Sequence, residues 1–270
     1  MNPYFELIRP NICLLSVFGL IVGLLLADIP FGLWFLPIIA VFLISASGNV
    51  INDYFDVEID KIDKPKRPLP SGRISKKQVI VFYLCLSLTG LILSYFISIN
   101  FFMLSAYNTI LVLVYSLRFK KNPIGNIVDS WLACSVFIAP VLIFGGFKEL
   151  IVSTATILAV IAFFGNYGRE VLKDVEDMKG DKTAGAKTLP IIFGKTKAII
   201  FGKLLISFSS FLIFVPYFSG IFSEYYLFSA LVCFLVGLYI LTIKEVSKAQ
   251  KTTKALMFLV ILAFLIGLMF

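Results

Sequence analysis

Residues 34–60 read WFLPIIAVFLISASGNVINDYFDVEID, an apolar run that ends in a group of acidic side chains. The run is long enough to cross the hydrocarbon core of a bilayer as a helix. Asp53, Asp56 and Asp60 follow one another at spacings of three and four. On a helix these spacings place the three side chains within about 60° of one another. The stretch therefore predicts a membrane helix that ends in an acidic stripe.

The composition of the whole chain extends this interpretation. Hydrophobic residues make up 59% of the 270 residues, mean hydropathy is +0.97, and charged residues account for only 15%. A soluble domain of this length does not need so much apolar surface. Nine apolar runs have about the length of a membrane span, at roughly 12–30, 34–52, 78–98, 101–117, 126–146, 150–169, 198–219, 224–243 and 254–270. We predict an all-α, polytopic membrane protein that forms a single domain over residues 1–270.

Basic residues are distributed unevenly around these runs. With nine spans, Arg9 and the loops after the even-numbered spans lie on one side of the membrane. Of the 24 Lys and Arg residues, all but Lys148 fall on that side, once Lys203 is assigned to it. The positive-inside rule makes this side, with the N-terminus, cytoplasmic. Topology and attraction to anionic lipid headgroups account for the net charge of +8. No basic soluble domain is available to bind nucleic acid.

The residues that the chain lacks exclude several chemistries. It contains no histidine, which is the commonest general base, zinc ligand and haem ligand. Its four cysteines are isolated within apolar runs and show no metal-binding or redox spacing, so we expect them to pack as small apolar residues. They are Cys13, Cys85, Cys134 and Cys233.

The acidic pattern occurs a second time. Asp174, Asp177 and Asp181 repeat the spacing of the first trio, and Glu170 precedes them as Asn49 precedes Asp53. A cation and a Leu-Pro pair follow each trio, in Arg67-Pro68-Leu69-Pro70 and Lys187-Thr188-Leu189-Pro190. Both trios belong to long charged loops, at 53–77 and 170–197, on the predicted cytoplasmic side. Internal repeats in membrane proteins often place a site between them, so we predict a site beneath a cytoplasmic cap.

Two facing acidic stripes favour Mg²⁺, which prefers oxygen ligands and commonly bridges carboxylates to substrate phosphates. The cations beside the stripes suit phosphate oxygens. They are Lys64, Lys66, Arg67, Lys182 and Lys187. Since apolar helices lie next to this polar mouth, the implied ligand is a polyprenyl diphosphate. Bound metal would weaken its allylic C–O bond, and carboxylates and aromatic rings would stabilise the resulting carbocation.

These motifs resemble those of a known family. Asn52-Asp53-Tyr54-Phe55-Asp56-Val57-Glu58-Ile59-Asp60 is similar to the NDxxDxxxD motif of UbiA-superfamily intramembrane prenyltransferases, and Asp174-Val175-Glu176-Asp177-Met178-Lys179-Gly180-Asp181 to the family's second aspartate motif. The resemblance covers nearly the whole chain. It implies nine transmembrane helices around a central cavity, Mg²⁺ dependence and prenyl transfer.

The resemblance also implies roles for individual residues. By motif position, the ligands of metal and diphosphate are Asn52, Asp56, Asp60, Asp177 and Asp181, with Asp53 and Asp174 as supporting catalytic residues. The residues predicted to bind substrate are Arg9, Asn49, Lys66, Arg67, Tyr115, Arg118, Lys120, Asn126, Arg169, Lys173 and Lys187. The family often carries a lysine four residues after a tyrosine, but Phe119 occupies that position after Tyr115. Either Arg118 or Lys120 serves instead.

The acceptor is predicted from two segments. Residues 6–11 and 168–174 are most similar to the archaeal members that transfer a geranylgeranyl group from geranylgeranyl diphosphate to the free hydroxyl of geranylgeranylglyceryl phosphate, forming the second ether bond of archaeal lipids. Arg169 and Lys173 are spare cations for the acceptor phosphate. An aromatic acceptor, as in quinone biosynthesis, is the alternative within this class, and a cation-coupled transporter is the alternative of another class. The sequence identifies no general base.

Overall fold

The computed structural model describes residues 2–183 and 185–269, and the regular elements in this part of the chain are all helical. They are α1 (Pro3–Ile8), α2 (Pro10–Leu26), α3 (Phe35–Phe55), α4 (Val57–Asp63), α5 (Lys76–Ile97), α6 (Ile99–Val114), α7 (Ile124–Ile138), α8 (Val141–Phe144), α9 (Glu149–Val152), α10 (Thr154–Thr183), α11 (Leu189–Phe193), α12 (Lys195–Leu212), α13 (Val215–Phe218), α14 (Glu224–Thr242) and α15 (Val246–Met269). A 3₁₀ turn at Phe31–Leu33 precedes α3, and a π-helical turn at Tyr115–Phe119 continues α6.

Seven helical segments of the described chain are long and apolar enough to cross a membrane. They contain α3, α5, α6, α10, α12, α14 and α15. Two further apolar helices are shorter, with 17 residues in α2 and 15 in α7. The apolar run of α7 is divided because Pro140 has no backbone N–H to donate, and α8 begins directly after it. The predicted class, an all-α polytopic membrane protein, is confirmed.

These helices pack against their neighbours in chain order, and α15 returns to contact α2. Two contacts also cross the ring, since α2 packs on α7 and α10 packs on α15. Gly23 allows the first of these contacts, because a Cβ atom at this position would overlap the Phe137 carbonyl oxygen. Small residues permit such close approach of helices in membranes. Other helices therefore pack around α3 and α10, whose acidic ends are predicted to face the cytoplasm.

The prediction of two long loops, at 53–77 and 170–197, is wrong over much of their length. Helix α4 occupies part of the first, and α10 continues for 30 residues to Thr183 before α11 begins. The extension of α10 is stable because Val171, Leu172 and Val175 carry its apolar face past the charged residues. Charge density therefore marks the end of the apolar segment but does not mark the end of the helix.

Candidate active site

The first acidic patch consists of Asn52, Asp53, Asp56 and Asp60. Helix α3 ends before Asp56, which is also the residue that precedes α4. The predicted stripe is therefore divided between two helices. Arg67 reconnects its ends, because its Nη1 donates to Asp53 Oδ1 at 3.2 Å and forms an ion pair with Asp60 at 2.5 Å.

Arg9 approaches the same patch from the N-terminus and forms an ion pair with Asp53. It lies between α1 and α2 with φ of 50°, a left-handed conformation that is unfavourable for residues with a side chain. Pro10 begins α2 directly afterwards. Asp53 is only 4% exposed, and a buried carboxylate requires such partners to remain ionised. The strained residue thus delivers a cation to the centre of the patch.

A π-helical turn brings Lys120 to the first acidic patch. The Lys120 amide donates to the Tyr115 carbonyl oxygen, five residues earlier, at 2.9 Å. This turn contains one residue more than an α-helical turn, so the residue after Phe119 faces inward. Lys120 forms an ion pair with Asp56, whereas Arg118 is exposed. Of these two cations, Lys120 is the one that contacts the first acidic patch.

Two neighbours hold this part of the site in place. Ser116, inside the π-helical turn, donates from Oγ to the Asn52 side-chain oxygen. Gly125, in the first turn of α7, packs directly against the turn, and a Cβ atom there would overlap the Phe119 carbonyl oxygen. The position of Lys120 therefore depends on the absence of a side chain on a different helix.

The second acidic patch consists of Asp174, Asp177 and Asp181. All three lie on the uninterrupted helix α10, so the stripe predicted from their spacing is present here. Asn126 Nδ2 donates to Asp174 Oδ2 at 2.8 Å, and Thr188 Oγ1 donates to Asp181 Oδ2 at 3.4 Å. Asp177 is exposed. Asp174 and Asp181 are held by neutral donors, in contrast to the carboxylates of the first patch.

The two acidic patches face one another. Lys120 forms an ion pair with Asp56 in the first patch. The carbonyl oxygen of its neighbour Lys121 accepts a hydrogen bond from the Lys187 amide, six residues after Asp181 of the second patch. One charged mouth is therefore built from both halves of the repeat.

The remaining predicted residues lie farther from this mouth. Asn49 is buried and donates from Nδ2 to the Ile8 carbonyl oxygen at 2.9 Å, so it secures the junction between α1 and α2. Lys66 and Lys187 are exposed. The backbone amide of Lys187 donates to the Lys121 carbonyl oxygen at 2.7 Å, which joins the second repeat to the segment after the π-helical turn.

Arg73 joins helix α1 to the segment that follows the first patch. Both terminal nitrogens of Arg73 donate to the Glu6 carboxylate, at 2.8 and 3.2 Å. These hydrogen bonds hold the pKa of Glu6 below its ordinary value. Arg73 also donates to the Lys66 carbonyl oxygen. The segment that follows the first acidic patch is thereby joined to the N-terminal helix.

A further polar group lies below the mouth. Arg169 and Lys173, predicted to bind substrate, both form ion pairs with buried Glu170. Beside them, Asn166 Nδ2 donates to Asp129 Oδ2 at 2.9 Å. Asp129 and Asn166 were not among the predicted site residues, although a carboxylate within an apolar run is a functional candidate in a membrane protein.

The donor atoms at the mouth suit a hard divalent cation. The predicted metal ligands offer only carboxylate and amide oxygens, which Mg²⁺ prefers. In the described residues no three His, Cys, Asp or Glu side chains are close enough together to hold a metal ion. The first-patch carboxylates instead hold the protein's own cations. The donor chemistry thus fits Mg²⁺, with Lys120 and Arg67 at positions from which they can turn to an anionic ligand.

An apolar pocket of about 390 Å³ lies farther along α6 and α7 and opens at the bundle surface, where Met103, Tyr107 and Phe147 are exposed. Six side chains line it: Met103, Leu104, Tyr107, Trp131, Phe147 and Leu150. Trp131 Nε1 donates to Asn108 Oδ1 at 2.9 Å, which fixes the ring against the cavity. Both helices lead from the charged mouth towards this cavity, so the polar and apolar regions follow one another along the same elements.

Comparison with known proteins agrees with this arrangement. The UbiA prenyltransferase family matches residues 16–265, and the chain belongs to this family of membrane prenyl-transferring enzymes. A digeranylgeranylglyceryl phosphate synthase from Methanococcus maripaludis is 39% identical over 283 aligned residues, which cover 100% of this chain and 99% of the relative. The predicted family and enzyme class are confirmed.

Comparison with solved structures shows that the similarity includes the fold. A structure described as concerning digeranylgeranylglyceryl phosphate synthase in membranes is 36% identical, with a TM-score of 0.79 and coverage of 98% of this chain and 97% of that one. A UbiA homologue from Archaeoglobus fulgidus bound to GPP and Mg²⁺ is 20% identical, with a TM-score of 0.73 and coverage of 99% and 100%. The second likeness shows a shared fold.

Proposed function

We propose that this chain transfers a geranylgeranyl group from geranylgeranyl diphosphate to the free hydroxyl of geranylgeranylglyceryl phosphate, in a reaction that requires Mg²⁺. The product carries the second ether bond of archaeal membrane lipids. The observation that carries the proposal is the pair of contacts that bring the two repeats together: Lys120 pairs with Asp56, and the Lys187 amide donates to the Lys121 carbonyl oxygen. Full-length identity to a digeranylgeranylglyceryl phosphate synthase supports the choice of acceptor.

The residues of the mouth divide into two roles in this proposal. Asn52, Asp56 and Asp60, together with Asp177 and Asp181, would hold Mg²⁺, which would supply Lewis-acid activation of the diphosphate leaving group. Asp53 and Asp174 support these ligands from more enclosed positions. Magnesium is found with a prenyl diphosphate in the A. fulgidus relative, which supports this use of the oxygen donors.

The cations of the mouth bind the diphosphate. Lys120 and Arg67 leave their carboxylates and turn to phosphate oxygens, because charge-assisted hydrogen bonds to phosphate are strong. Arg9 contributes from the N-terminal side, and Lys66 and Lys187 attract the anion at the rim. Since these residues surround the leaving group, they stabilise the negative charge that develops as the allylic bond breaks.

The hydrocarbon tail occupies the apolar part of the bundle. We assign its distal isoprenoid units to the cavity beside Trp131, while Tyr115 faces the reacting end. Tyr115 is buried among carboxylates, so its ring is positioned to stabilise a neighbouring carbocation by cation–π attraction. Enclosure of this end by helices keeps water from the reactive carbon.

The proposed topology has nine membrane crossings that form one domain around a central cavity. It counts α2 and α7 as spans, although a helix of 17 residues is only about 25 Å long. The N-terminus and both acidic patches then face the cytoplasm beneath a cap that contains α1, α4 and α11. Support comes from the distribution of Lys and Arg, in which Lys148 stands alone on the opposite side.

The acceptor is tested with purified full-length protein, geranylgeranyl diphosphate and Mg²⁺. Parallel reactions receive either geranylgeranylglyceryl phosphate or 4-hydroxybenzoate, and products are separated by mass spectrometry. We expect product only with the glyceryl ether phosphate, and none of it in the presence of excess chelator. Product with the aromatic acid alone would overturn the acceptor assignment while leaving prenyl transfer intact.

A further inference from the structure

Asp129 occupies a distinct position below the charged mouth. On α7 it follows Asn126 by three residues, so it lies about 4.5 Å deeper along the helix axis. Helix α10 runs antiparallel beside it, with Asp174 opposite Asn126 and Asn166 opposite Asp129. Both hydrogen bonds belong to one interface, and on α10 their residues are eight positions apart, with Glu170 between them. Asp129 is thus the carboxylate of α7 that lies on the membrane-interior side of the mouth.

A neutral group is the hydrogen-bond partner of the Asp129 carboxylate. Asp129 itself is partly buried on α7, between the buried residues Val128 and Ser130. The hydrogen bond that the structure gives it comes from the neutral amide of Asn166 and engages Oδ2. Among the described residues, no Lys or Arg forms an ion pair with Asp129. Its second oxygen is therefore available to accept a proton.

Charged groups of both signs surround Asp129. The groups that face it are Glu170, Lys173 and Arg169 on α10, and Tyr115 at the end of α6. Two positive and two negative charges then balance, which lowers the cost of a buried carboxylate. Protonation of Asp129 would leave this group with one excess positive charge. This excess positive charge would attract the departing diphosphate.

We propose that Asp129 accepts the proton of the acceptor hydroxyl. This inference rests on the proposed prenyl transfer, in which the diphosphate occupies the mouth and C1 of the prenyl group points inward. The acceptor oxygen approaches C1 from the side opposite the leaving group, at the level of Asp129. The new C–O bond forms, the bond between C1 and the diphosphate oxygen breaks with its electron pair, and the hydroxyl proton passes to Asp129 Oδ1.

The test uses the full-length enzyme with Asp129→Asn, which preserves shape but cannot accept the proton. Positioned general bases contribute about 10²–10⁴-fold in rate, so we expect kcat for transfer to fall at least about 100-fold. The KM for geranylgeranyl diphosphate should change less than threefold. The wild-type rate should rise with pH to a plateau, and the residual rate of the variant should be independent of pH.

Two further variants separate catalysis from structure. Asp129→Glu restores a carboxylate and should recover part of the rate with a pH-dependent profile. Asn166→Ala removes the hydrogen bond and should retain most of the rate if Asp129 acts on the substrate. Equal losses in Asp129→Asn and Asn166→Ala, with equal falls in melting temperature, would overturn the proposal, as would a rate in Asp129→Asn within threefold of wild type.

The outcome is distinguishable from failure of the proposed acceptor. All variants are measured with whichever hydroxyl acceptor the wild-type enzyme uses. If wild type prenylates an aromatic hydroxyl instead of the glyceryl ether phosphate, the acceptor assignment fails. The requirement for Asp129 is then still decided by the ratio of the wild-type rate to the Asp129→Asn rate.

Discussion

At the scale of single residues, the carboxylates of the first acidic patch are occupied by the protein's own cations, with which a metal ion would have to compete. Asp53, Asp56 and Asp60 each bind a cation supplied by the chain itself. These ion pairs stabilise the carboxylates before a ligand arrives. They also keep the cations close to the position that a diphosphate would occupy. Ligand binding is then an exchange of partners, which avoids leaving charges unpaired in a partly buried site.

Loss of one carboxylate from either acidic patch should stop catalysis. We expect Asp56→Ala and Asp177→Ala each to lower turnover at least about 100-fold, because each removes a proposed metal ligand. Turnover is measured at saturating Mg²⁺, and folding is checked by melting temperature. The matched controls are Glu58→Ala and Glu176→Ala, which remove exposed neighbouring carboxylates. Unchanged turnover in the aspartate variants would refute their assignment as ligands.

Lys120 and Arg118 should behave differently although both follow Tyr115. Lys120→Met should weaken the affinity for geranylgeranyl diphosphate by about tenfold or more, the size expected for a lost hydrogen bond to a charged group. Arg118→Met should change the affinity less than twofold, since Arg118 is exposed away from Asp56. Calorimetric titration measures both. The reverse ranking would contradict the role assigned to the π-helical turn.

At the scale of elements, the sequence predicted some features well and others poorly. Carboxylate spacing predicted the stripe on α10, where the helix continues unbroken. In the first patch α3 ends before Asp56 and α4 begins after it, yet one Arg67 nitrogen still contacts both Asp53 and Asp60. Such a break leaves no local signal in a segment without proline or glycine. The inward position of Lys120 could not be predicted from the sequence either, because the π-helical turn that produces it depends on packing against another helix. Asp129 carried a readable signal, a charge inside an apolar run.

The contact between α7 and the π-helical turn should be sensitive to a single methyl group. Gly125→Ala places that group against the Phe119 carbonyl oxygen, and overpacking of this kind costs about 1–3 kcal/mol. We expect lower thermal stability together with weaker diphosphate binding, because the turn that presents Lys120 must shift. Gly32→Ala, which meets nothing within 4 Å, is the control. Full diphosphate affinity in Gly125→Ala would show that the turn tolerates displacement.

At the scale of the whole molecule, the ring of helices brings distant segments together. The two acidic patches belong to separate repeats, yet α7 and α10 pack side by side beneath them. The Lys187 backbone joins the far end of the second repeat to Lys121. Sequence indicated that both patches share one side of the membrane, through charge distribution. Their mutual orientation required the packing of the ring.

The proposed topology makes a labelling prediction. In a variant with its four cysteines replaced, a new cysteine at Lys187 should react with a membrane-impermeant thiol reagent only from the cytoplasmic side. A cysteine at Lys148 should react only from the other side, and both positions are exposed. Labelling is measured in vesicles of known orientation. Reaction of both positions from the same side would exclude the proposed odd number of crossings between them and require a different span count.

The central claim, that both acidic patches grip one diphosphate, is tested most directly by a double-mutant cycle. Affinity for geranylgeranyl diphosphate in Mg²⁺ is measured for wild type, Asp56→Asn, Asp177→Asn and the double variant. Residues that share a ligand couple by about 0.5–3 kcal/mol, and we expect a coupling of at least about 1 kcal/mol. Free energies that add within about 0.3 kcal/mol would mean that the two patches act on separate ligands and would contradict the account.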